Sequence, residues 1–289
     1  MAAIRSGLHY FQLSSMMHQA REHTAISAMI QDTRPATKTA TSLSVATYNV
    51  RKAIGRDYRR DPKRILESVA DLDVDIVALQ EADYRFKQRQ AIFEPEQVRH
   101  VTSMRAVALK HDQNGLGWHG NILLINPAMH IVDSRIIELP GLEPRGGLLV
   151  DLVHGGAEIR IISAHLGILA AYRRRQVEVL MEAADLESGR TTFVLGDFNC
   201  WGKARWSLKP FRDFLHEAAC GKTFPAGYPV ASLDRIFYTD HAQLTSCGPV
   251  MNGLTRIASD HLPVRAQFVI ETEQKDAEKQ AAFASGIGL

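Results

Sequence analysis

Apolar residues recur along this chain in short runs that stop at polar residues, a pattern typical of buried strands. The clearest run is RTTFVLGDFNC at residues 190–200, where an apolar strand passes abruptly into Gly-Asp-Phe-Asn. Because side chains alternate between the faces of a strand, Asp197 and Asn199 point the same way while Phe198 points into the core. A carboxylate and an amide are therefore predicted together at a strand end, as part of either a polar turn or a metal or phosphate site.

Other apolar runs also end at side chains that can carry chemistry. LSVATYN ends in Asn49, and DVDIVALQE ends in Glu81. MRAVALK, HGNILLIN, HIVDSRIIEL, GGLLVDLV and EIRIISAHLG follow at short intervals, which predicts hairpins of an antiparallel or mixed sheet. The last of these runs contains His165. A lone Glu or His at such a position is more often solvated or structural than functional.

The final third of the chain adds two more polar positions near predicted strands. LDRIF places Asp234 just before a short strand. SDHLPV places Asp260 and His261 in a loop before a closing strand of alternating polarity. These residues join the polar strand ends as candidates for a shared site.

Two helices are predicted from start signals and apolar periodicity. Asp61 and Pro62 form a start signal, with Asp as N-cap and Pro at the first helical position. Residues 170–188 carry apolar side chains on one face and stop at Gly189. Arginines stand at positions 173–175 of this helix, as a solvated face or, because they follow the last hairpin strand closely, as contacts for anions.

The chain is expected to contain one domain with two extensions. Residues 1–42 lack a sustained period and are predicted to be a poorly ordered leader, although an amphipathic helix at 8–28 or translation from Met29 would also fit. Residues 43–270 show no repeat or linker and are predicted to form a single domain. Residues 271–289 read as a charged, frayed tail.

Composition narrows the class of protein. With 289 residues and 45% apolar content, the chain can bury a sizeable core. No apolar run approaches the roughly 18 residues of a membrane span, and the N-terminus has no compact signal core. Three cysteines without CxxC spacing suggest neither a disulfide framework nor a zinc cluster, so a cytoplasmic location is expected.

Charge is nearly balanced overall but uneven along the chain. The net charge of +2 argues against a protein that coats nucleic acid nonspecifically. Between Val45 and Arg64, however, seven Lys or Arg residues stand against two Asp residues. Anions are expected to bind there. The Arg-rich connection at residues 83–100 is predicted to be a surface excursion.

The polar strand ends together offer eight side chains that handle metals, protons or phosphates: Asn49, Glu81, His165, Asp197, Asn199, Asp234, Asp260 and His261. Open α/β sheets collect functional residues at such edges. Each residue alone has a structural explanation, but their recurrence at comparable positions predicts one site. Carboxylates and amides dominate the set and no HxxxH or CxxC spacing is present, which favours Mg²⁺, Mn²⁺ or Ca²⁺ over zinc.

Seven segments in this order, TYNVRK, ALQE, HGNILLIN, SAHLG, GDFN, LDRIF and SDHLPV, resemble the endonuclease/exonuclease/phosphatase superfamily, with its deoxyribonuclease I-like fold. The resemblance spans residues 43–270. It implies an α/β (α+β) protein built as a four-layer α/β/β/α sandwich, in which two packed mixed β-sheets are flanked by helices. It also implies Mg²⁺-dependent attack of water on phosphorus, with Mn²⁺ as a plausible substitute.

The resemblance assigns three residues to the metal. Glu81 would be the main ligand, with Asn49 and Asp260 beside it. All three offer oxygen donors, which hard cations prefer.

The resemblance also implies five catalytic side chains. Asp197 would orient or deprotonate the attacking water, while Asn199 and His165 would hold phosphate oxygens. His261, oriented by Asp234, would stabilise charge or donate a proton.

Departures from family patterns bear on the substrate. Abasic-site endonucleases and exonuclease III carry a tyrosine-containing segment where this chain has SAHLG, and often an acid where Arg51 stands. HLGILAAYRRRQ is similar instead to a small bacterial branch that includes relatives of sphingomyelinases and other phosphodiesterases. The expected substrate is therefore a small or lipid-derived phosphoester.

Two alternatives stay open. A nuclease acting on DNA or RNA would use the basic patch, although the sequence shows no basic run interleaved with aromatic residues. A catalytically dead binding module is least expected, because every catalytic position is filled. The oligomeric state is not predicted.

Overall fold

The computed structural model describes residues 38–84, 90–109 and 116–273. In chain order, the strands of these residues are β1 (Lys38–Asn49), β2 (Ile76–Gln80), β3 (Arg105–Ala106), β4 (Ile122–Ile125), β5 (His130–Leu139), β6 (Arg145–His154), β7 (Ala157–His165), β8 (Thr191–Asp197), β9 (His216–Glu217), β10 (Asp234–Tyr238), β11 (Ala242–Pro249) and β12 (Val264–Glu273). The α-helices are α1 (Pro62–Ala70), α2 (Pro95–Thr102), α3 (Ala170–Ala184), α4 (Lys209–Phe214) and α5 (Thr255–Ala258). None of the helices in these ranges is long and apolar enough to cross a membrane.

The described strands form two six-stranded sheets, in the orders β11-β12-β1-β2-β4-β3 and β5-β6-β7-β8-β10-β9. Each sheet is mixed: the β1–β2 and β7–β8 pairs are parallel, and the other pairs are antiparallel. Strands β2 and β8 are buried along their whole length, which explains why they read as continuous apolar runs.

Strand β1 shows how the sequence builds the layers. Leu43 and Val45 lie in the core between the two sheets, whereas Ala46 and Tyr48 pack in a second core with residues of α1 and α2. This alternation follows the two-residue period of a strand. On the far side, the second sheet packs against α3 and α4 through residues that include Phe211. The predicted four-layer α/β/β/α sandwich is confirmed.

The predicted helices form, with small changes at their ends. Helix α1 begins as expected, because the Asp61 carboxylate accepts a hydrogen bond from the backbone N–H of Arg64 at 3.0 Å. Helix α3 ends at Ala184 rather than at residue 188. Asp185 there adopts a left-handed conformation with φ of 46°, and the 3-10 turn Leu186–Ser188 follows.

Several predicted boundaries are wrong. Of the described residues of MRAVALK, 104–109, only Arg105–Ala106 forms a strand. Strands β3 and β4 belong to the first sheet, while β5 to β7 form hairpins in the second. Residues 83–100, predicted as a surface excursion, contain the start of α2, where Val98 is buried. Strand β11 was not predicted, since it pairs along one side only and stays largely unburied, so its sequence lacks an apolar run.

The sheet extends past both predicted domain limits. Strand β1 starts at Lys38 rather than Leu43, and β12 ends at Glu273 rather than residue 270. Thr41 pairs with Ile270 in this antiparallel extension. Thr is a favoured strand residue, but a Thr-rich composition made the segment look like part of a leader. Residues 1–37 and 274–289 of the predicted leader and tail lie outside the described residues.

One edge of the sandwich collects the polar strand ends from both sheets. Asn49 ends β1, and Glu81 directly follows the parallel neighbour β2. In the second sheet, His165 at the end of β7 is in register with Asp197 at the end of β8. Strand β10 runs the opposite way, so its first residue, Asp234, also lies opposite Asp197.

Candidate active site

Asp197 lies at the centre of this edge and is 1% exposed. Its Oδ1 accepts the backbone N–H of Asn199 at 2.9 Å, and its Oδ2 accepts from Nδ2 of Asn49 at 2.8 Å. Because Asn49 belongs to the first sheet, the second hydrogen bond joins the two sheets. The Nε2 atoms of His165 and His261 lie 3.5 and 3.8 Å from the same Oδ2. Amide donors therefore fix this carboxylate between two imidazoles.

The glycine before Asp197 is required by the close approach of β7 and β8. Gly196 is in register with Ala164 and has φ of +151°. A Cβ atom built on Gly196 would lie 1.8 Å from the carbonyl oxygen of Ala164. Only glycine fits there. Gly196 thereby allows His165 and Asp197 to lie side by side.

His261 is held by a buried carboxylate. Its Nδ1 lies 2.8 Å from Oδ2 of Asp234, and the Thr223 hydroxyl donates to the same oxygen at 2.5 Å. Burial alone would lower the pKa of His261, but the charges of Asp234 and Asp197 and the hydrogen bond to Asp234 raise that pKa to about 10. The ring is therefore protonated near neutral pH, and its Nδ1 is a donor.

His165 is in the opposite protonation state. Burial, with a smaller contribution from the charge of Arg145, lowers the pKa of His165 to about 4 against the opposing effect of Asp197. Nη1 of Arg145 lies 2.7 Å from Nδ1 of His165, and a guanidinium only donates, so Nδ1 accepts. The amide nitrogen of Asn199 lies 3.1 Å from Nε2. The site thus holds one neutral and one protonated imidazole.

Glu81 lies at the rim of the site, with its side chain 27% exposed, and forms an ion pair with Lys52. Burial would raise the pKa of Glu81, but the charges of His165 and Lys52 and hydrogen bonds from Lys52 and Asn49 lower it to about 2. Because His165 is itself neutral near pH 7, Lys52 is the cation that matters for Glu81 there. The carboxylate is fully ionised.

Asp260 is the second carboxylate of the rim, 28% exposed, and its Oδ2 lies 3.2 Å from Nε of Arg51. The neighbouring Ser259 hydroxyl donates to the carbonyl of Asn49 at 2.8 Å, which holds this loop against β1. Oδ1 of Asn49 accepts the backbone N–H of Arg51 at 3.0 Å and keeps a second lone pair. Glu81 and Asp260 each therefore face a basic residue of the same turn.

That turn has a strained backbone. Arg51, Lys52 and Ala53 have φ of 45°, 57° and 58°, a left-handed conformation that costs roughly 1–2 kcal/mol per non-glycine residue. The backbone N–H of Lys52 donates to the carbonyl of Glu81 at 2.8 Å, which fixes the turn against β2. Glu81 and Asn199 also have positive φ. Such strain concentrates at functional sites, and here it directs two cations at the rim carboxylates.

Two groups of side chains offer ligand atoms for a divalent cation. Ligand atoms of Asp197, Asp234 and His261 lie within 4.8 Å of one another. His261 is protonated and hydrogen-bonded to Asp234, however, so it lacks the free lone pair that a metal needs. Glu81 and Asp260 offer partly exposed carboxylates whose present partners are flexible cationic side chains. The oxygen donors at the rim therefore fit a divalent cation better than the Asp197, Asp234 and His261 group does.

Three side chains at the site were not predicted individually: Lys52, Arg145 and Thr223. Lys52 lay inside the basic run, whose general role as an anion site was expected. Nothing in the sequence around Arg145 marks it, because it reaches His165 only through the pairing of β6 with β7. Thr223 comes from an irregular loop, and a hydroxyl there gives no sequence signal.

The three arginines of α3 differ in their surroundings. Arg173 is 1% exposed and donates to the carbonyls of Gly167 and Ile168 at 2.9 and 2.8 Å. It therefore holds the loop that follows His165 instead of binding an anion. Arg174 pairs with Glu178 one turn along the helix and Arg175 is exposed, which agrees with the solvated face predicted as one alternative for these two residues.

Comparison with known proteins places these features in a family. The model of the Endonuclease/Exonuclease/phosphatase family matches residues 46–261. The uncharacterized protein YbhP of Escherichia coli strain K12 is 33% identical over 161 residues, which are 53% of this chain and 63% of that relative. The match therefore spans less than two thirds of the relative's length.

Solved structures share the fold at low sequence identity. TDP2 of D. rerio, complexed with a single strand DNA product, aligns with a TM-score of 0.60 at 16% identity over 79% of this chain and 99% of that chain. A mannosyl-6-phosphatase of Bacteroides thetaiotaomicron aligns with a TM-score of 0.60 at 17% identity over 78% of this chain and 99% of that chain. Two mixed sheets flanked by helices are common to them. With most of its length matched by the family model, the chain belongs to the Endonuclease/Exonuclease/phosphatase family.

Proposed function

We propose that this chain hydrolyses phosphoesters with the help of a divalent metal, Mg²⁺ by preference and Mn²⁺ as a substitute. Its substrate would be a small or lipid-derived phosphodiester or phosphomonoester. The observation that carries the proposal is the network around Asp197, where the amide of Asn49 from β1, the imidazole of His165 from β7 and that of His261 from the loop before β12 converge on a single buried carboxylate. Members of the family are phosphoester hydrolases, which supports the reaction class.

Asp197 would orient or deprotonate the attacking water. Its two hydrogen bonds, from Asn49 and from the backbone of Asn199, hold the carboxylate in one direction before substrate arrives. A base that is fixed in this way loses little entropy when it reaches the transition state. His165 and the Asn199 amide lie beside it and would hold a phosphate oxygen.

His261 would stabilise the negative charge that develops on the phosphoryl oxygens or donate a proton to the leaving group. A protonated imidazole is suited to this role, and Asp234 both orients the ring and keeps it charged. Because both groups are buried, their interaction is weakly screened by solvent.

The metal would be held by Glu81 and Asp260, with Asn49 beside them. When bound, a divalent cation supplies Lewis-acid stabilisation of charge on the phosphoryl group. Lys52 and Arg51, which pair with the two carboxylates in the structure, would then be released to contact phosphate oxygens.

Metal-dependent turnover tests the proposal. Purified protein is assayed on bis(p-nitrophenyl) phosphate, lysophospholipid and sphingomyelin, first in EDTA and then with added Mg²⁺ or Mn²⁺. We expect activity to disappear in EDTA and return with either metal. Asp197→Asn, purified in the same way, controls for contaminating phosphoesterases and should lose roughly 10²-fold or more. Activity that ignores the chelator would contradict the metal assignment.

A nuclease is the second candidate, favoured by a surface that the sequence did not reveal. The guanidinium of Arg51 lies 5.9 Å from the ring centroid of Tyr58, which is 82% exposed. Trp201, 45% exposed, packs against Phe224, which in turn contacts His261. Proteins bind single-stranded nucleic acids through basic side chains and exposed aromatic rings of this kind. The structural neighbour TDP2 was also crystallised with single strand DNA.

Salt dependence separates the two candidates. Binding of DNA or RNA should weaken steeply as salt rises, because counterions are released from the phosphate backbone. Hydrolysis of a small phosphoester should respond weakly. Faster cleavage of plasmid DNA or RNA than of every small ester, with a steep salt response of the Michaelis constant, would favour the nuclease.

A further inference from the structure

An apolar pocket of about 260 Å³ opens beside the candidate active site. Two loops form its walls, one between β5 and β6 and the other between β7 and α3. Leu142 lines it from the first loop, Ile168 and Leu169 line it from the second, and Tyr172 lines it from the first turn of α3. Its position and lining make it distinct from the polar pocket that contains Glu81 and His165.

The two pockets share a wall. Glu143 and Arg145 line both of them. Nη1 of Arg145 lies 2.7 Å from Nδ1 of His165, so this shared wall reaches the imidazole directly. A molecule that places its phosphate beside His165 can therefore extend into the apolar pocket.

The mouth of the apolar pocket exposes large aliphatic side chains. Leu142, Ile168 and Leu169 are 75%, 65% and 55% exposed. Single exposed leucines are ordinary, but a cluster of aliphatic side chains around a concave site marks a binding surface. An apolar group that covered them would remove this surface from water.

Buried polar side chains hold the two loops in place. Oε1 of Gln176 accepts the backbone N–H of Gly167 at 2.8 Å, and its Nε2 donates to the carbonyl of Pro140 at 2.8 Å, which ties both loops to one residue of α3. Arg173 adds hydrogen bonds to the carbonyls of Gly167 and Ile168. The pocket is thus formed before a ligand arrives, which is usual for small-molecule sites.

We propose that this pocket binds the apolar organic group of the phosphoester, so that the chain selects alkyl or aryl phosphoesters over esters of sugars and other polar alcohols. The inference rests on the proposed phosphoester hydrolysis. Polarity supports it, since Lys52 and His165 line the phosphate side, aliphatic side chains line the other, and Arg145 lies in the wall between them. Size supports it too: an engineered cavity of about 150 Å³ binds benzene, so this pocket accepts a substituted ring or a short alkyl segment.

Binding of a homologous series tests the proposal. Dissociation constants of methyl-, butyl- and hexylphosphonate are measured by calorimetry with Mg²⁺ present, and as competitive inhibition of bis(p-nitrophenyl) phosphate hydrolysis. We expect affinity to rise roughly fourfold with each methylene until the pocket is filled, the fold-change that corresponds to about 0.8 kcal/mol per buried methylene. Leu142→Asn and Ile168→Asn should each reduce the ratio of hexyl to methyl affinity by about tenfold.

Val132→Asn is the matched control. Val132 is also an exposed aliphatic residue, 62% exposed, but it lies near the start of β5, away from the loop that follows this strand. This variant should keep the wild-type dependence on chain length. Circular dichroism and melting temperature verify that all three variants fold.

The outcomes separate the two proposals. Hydrolysis without any dependence of affinity on chain length overturns the pocket assignment and leaves the proposed function standing. Chain-length dependence that survives in Leu142→Asn and Ile168→Asn also overturns it. Absence of hydrolysis on every phosphoester of the panel instead contradicts the proposed function. A dimer that Leu142→Asn dissociates would identify a second copy of this chain as the occupant and overturn the inference.

Discussion

Nδ1 of His261 donates a hydrogen bond to Oδ2 of Asp234 at 2.8 Å, although 27 residues separate the two along the chain. The hydroxyl of Thr223 donates to the same oxygen. Oδ1 of Asp234 has no hydrogen-bond partner within the described residues. The carboxylate therefore makes its side-chain contacts through Oδ2, the oxygen that orients the ring of His261. The buried, charged imidazole and its carboxylate are expected to work as one unit.

Removal of either member of this pair should therefore cost about the same. We expect His261→Gln and Asp234→Asn each to lower kcat by roughly 10²-fold or more, because a positioned acid is lost or misoriented. The double variant should be little worse than the worse single variant, since residues that act as a unit are not additive. Turnover per folded molecule is the measurement, and strictly additive losses would refute the pairing.

Glu81→Gln should weaken the dependence on metal more than it weakens the fold. The side chain is 27% exposed and lies outside the apolar cores, so the loss of its charge removes a metal ligand and little packing. The Mg²⁺ concentration for half-maximal activity should rise at least tenfold. The melting temperature without added metal should fall only modestly, through loss of the partly exposed ion pair with Lys52, and a drop as large as that of a core substitution would show that Glu81 is structural.

Lys52→Met should separate metal binding from turnover. Lys52 forms an ion pair with Glu81 and would compete with a cation for this carboxylate, so its removal should lower the Mg²⁺ concentration for half-maximal activity. If the released ammonium contacts phosphate as proposed, kcat should fall at saturating metal. Lys63→Met, which removes a lysine that is 78% exposed on α1, is the control and should change neither value. A higher metal requirement in Lys52→Met would contradict the competition.

Much of the site could be predicted because its residues stand at the ends of apolar strands. Asp197 and Asn199 follow a continuous apolar run, which indicates a strand buried on both faces, and Gly196 marks the close approach of two strands. The topology then brings these residues together, because parallel strands end at the same edge of a sheet. The partnership of His261 with Asp234 followed from the family resemblance, and the hydrogen bond between them is confirmed.

The contacts that could not be predicted from the sequence depend on loop conformation and on pairing between distant segments. Lys52 reaches Glu81 because its turn is left-handed, and the turn contains no glycine from which that conformation could be predicted. Arg145 meets His165 across paired strands. The apolar pocket consists of isolated aliphatic residues in two loops, Leu142 and Ile168 among them. They are too few to produce a period, and only the tertiary fold brings them together.

Adjacent arginines of α3 provide a matched test of loop positioning. Arg173→Met should destabilise the protein by roughly 2–3 kcal/mol, because the partly buried carbonyls of Gly167 and Ile168 lose their charged donor. Arg174→Met removes an exposed i,i+4 ion pair with Glu178 and should cost about 0.5 kcal/mol or less. Urea unfolding of both variants measures the difference. Equal losses would mean that the buried hydrogen bonds of Arg173 do not stabilise the loop.

His165 should make the fold sensitive to mild acid. Its pKa is about 4 in the folded protein and 6.5 ordinarily, so below pH 6.5 the unfolded chain binds a proton that the folded protein does not. The free energy of unfolding should therefore fall from pH 6.5 to pH 4.5, by roughly 2–3 kcal/mol from this residue.

Other groups with shifted pKa values act in different ranges. The raised pKa of His261 gives a contribution that is complete below pH 6.5 and is lost only as the pH rises toward about 10. The depressed pKa of Glu81, about 2, gives a contribution that is lost below about pH 4.5. Urea unfolding in EDTA between pH 6.5 and pH 4.5 therefore reports mainly on His165. His165→Gln, which stays neutral and can still accept from Arg145, should flatten the slope in this range, whereas His216→Gln, at a side chain 58% exposed, should not. An unchanged slope in His165→Gln would show that this imidazole is not kept neutral in the fold.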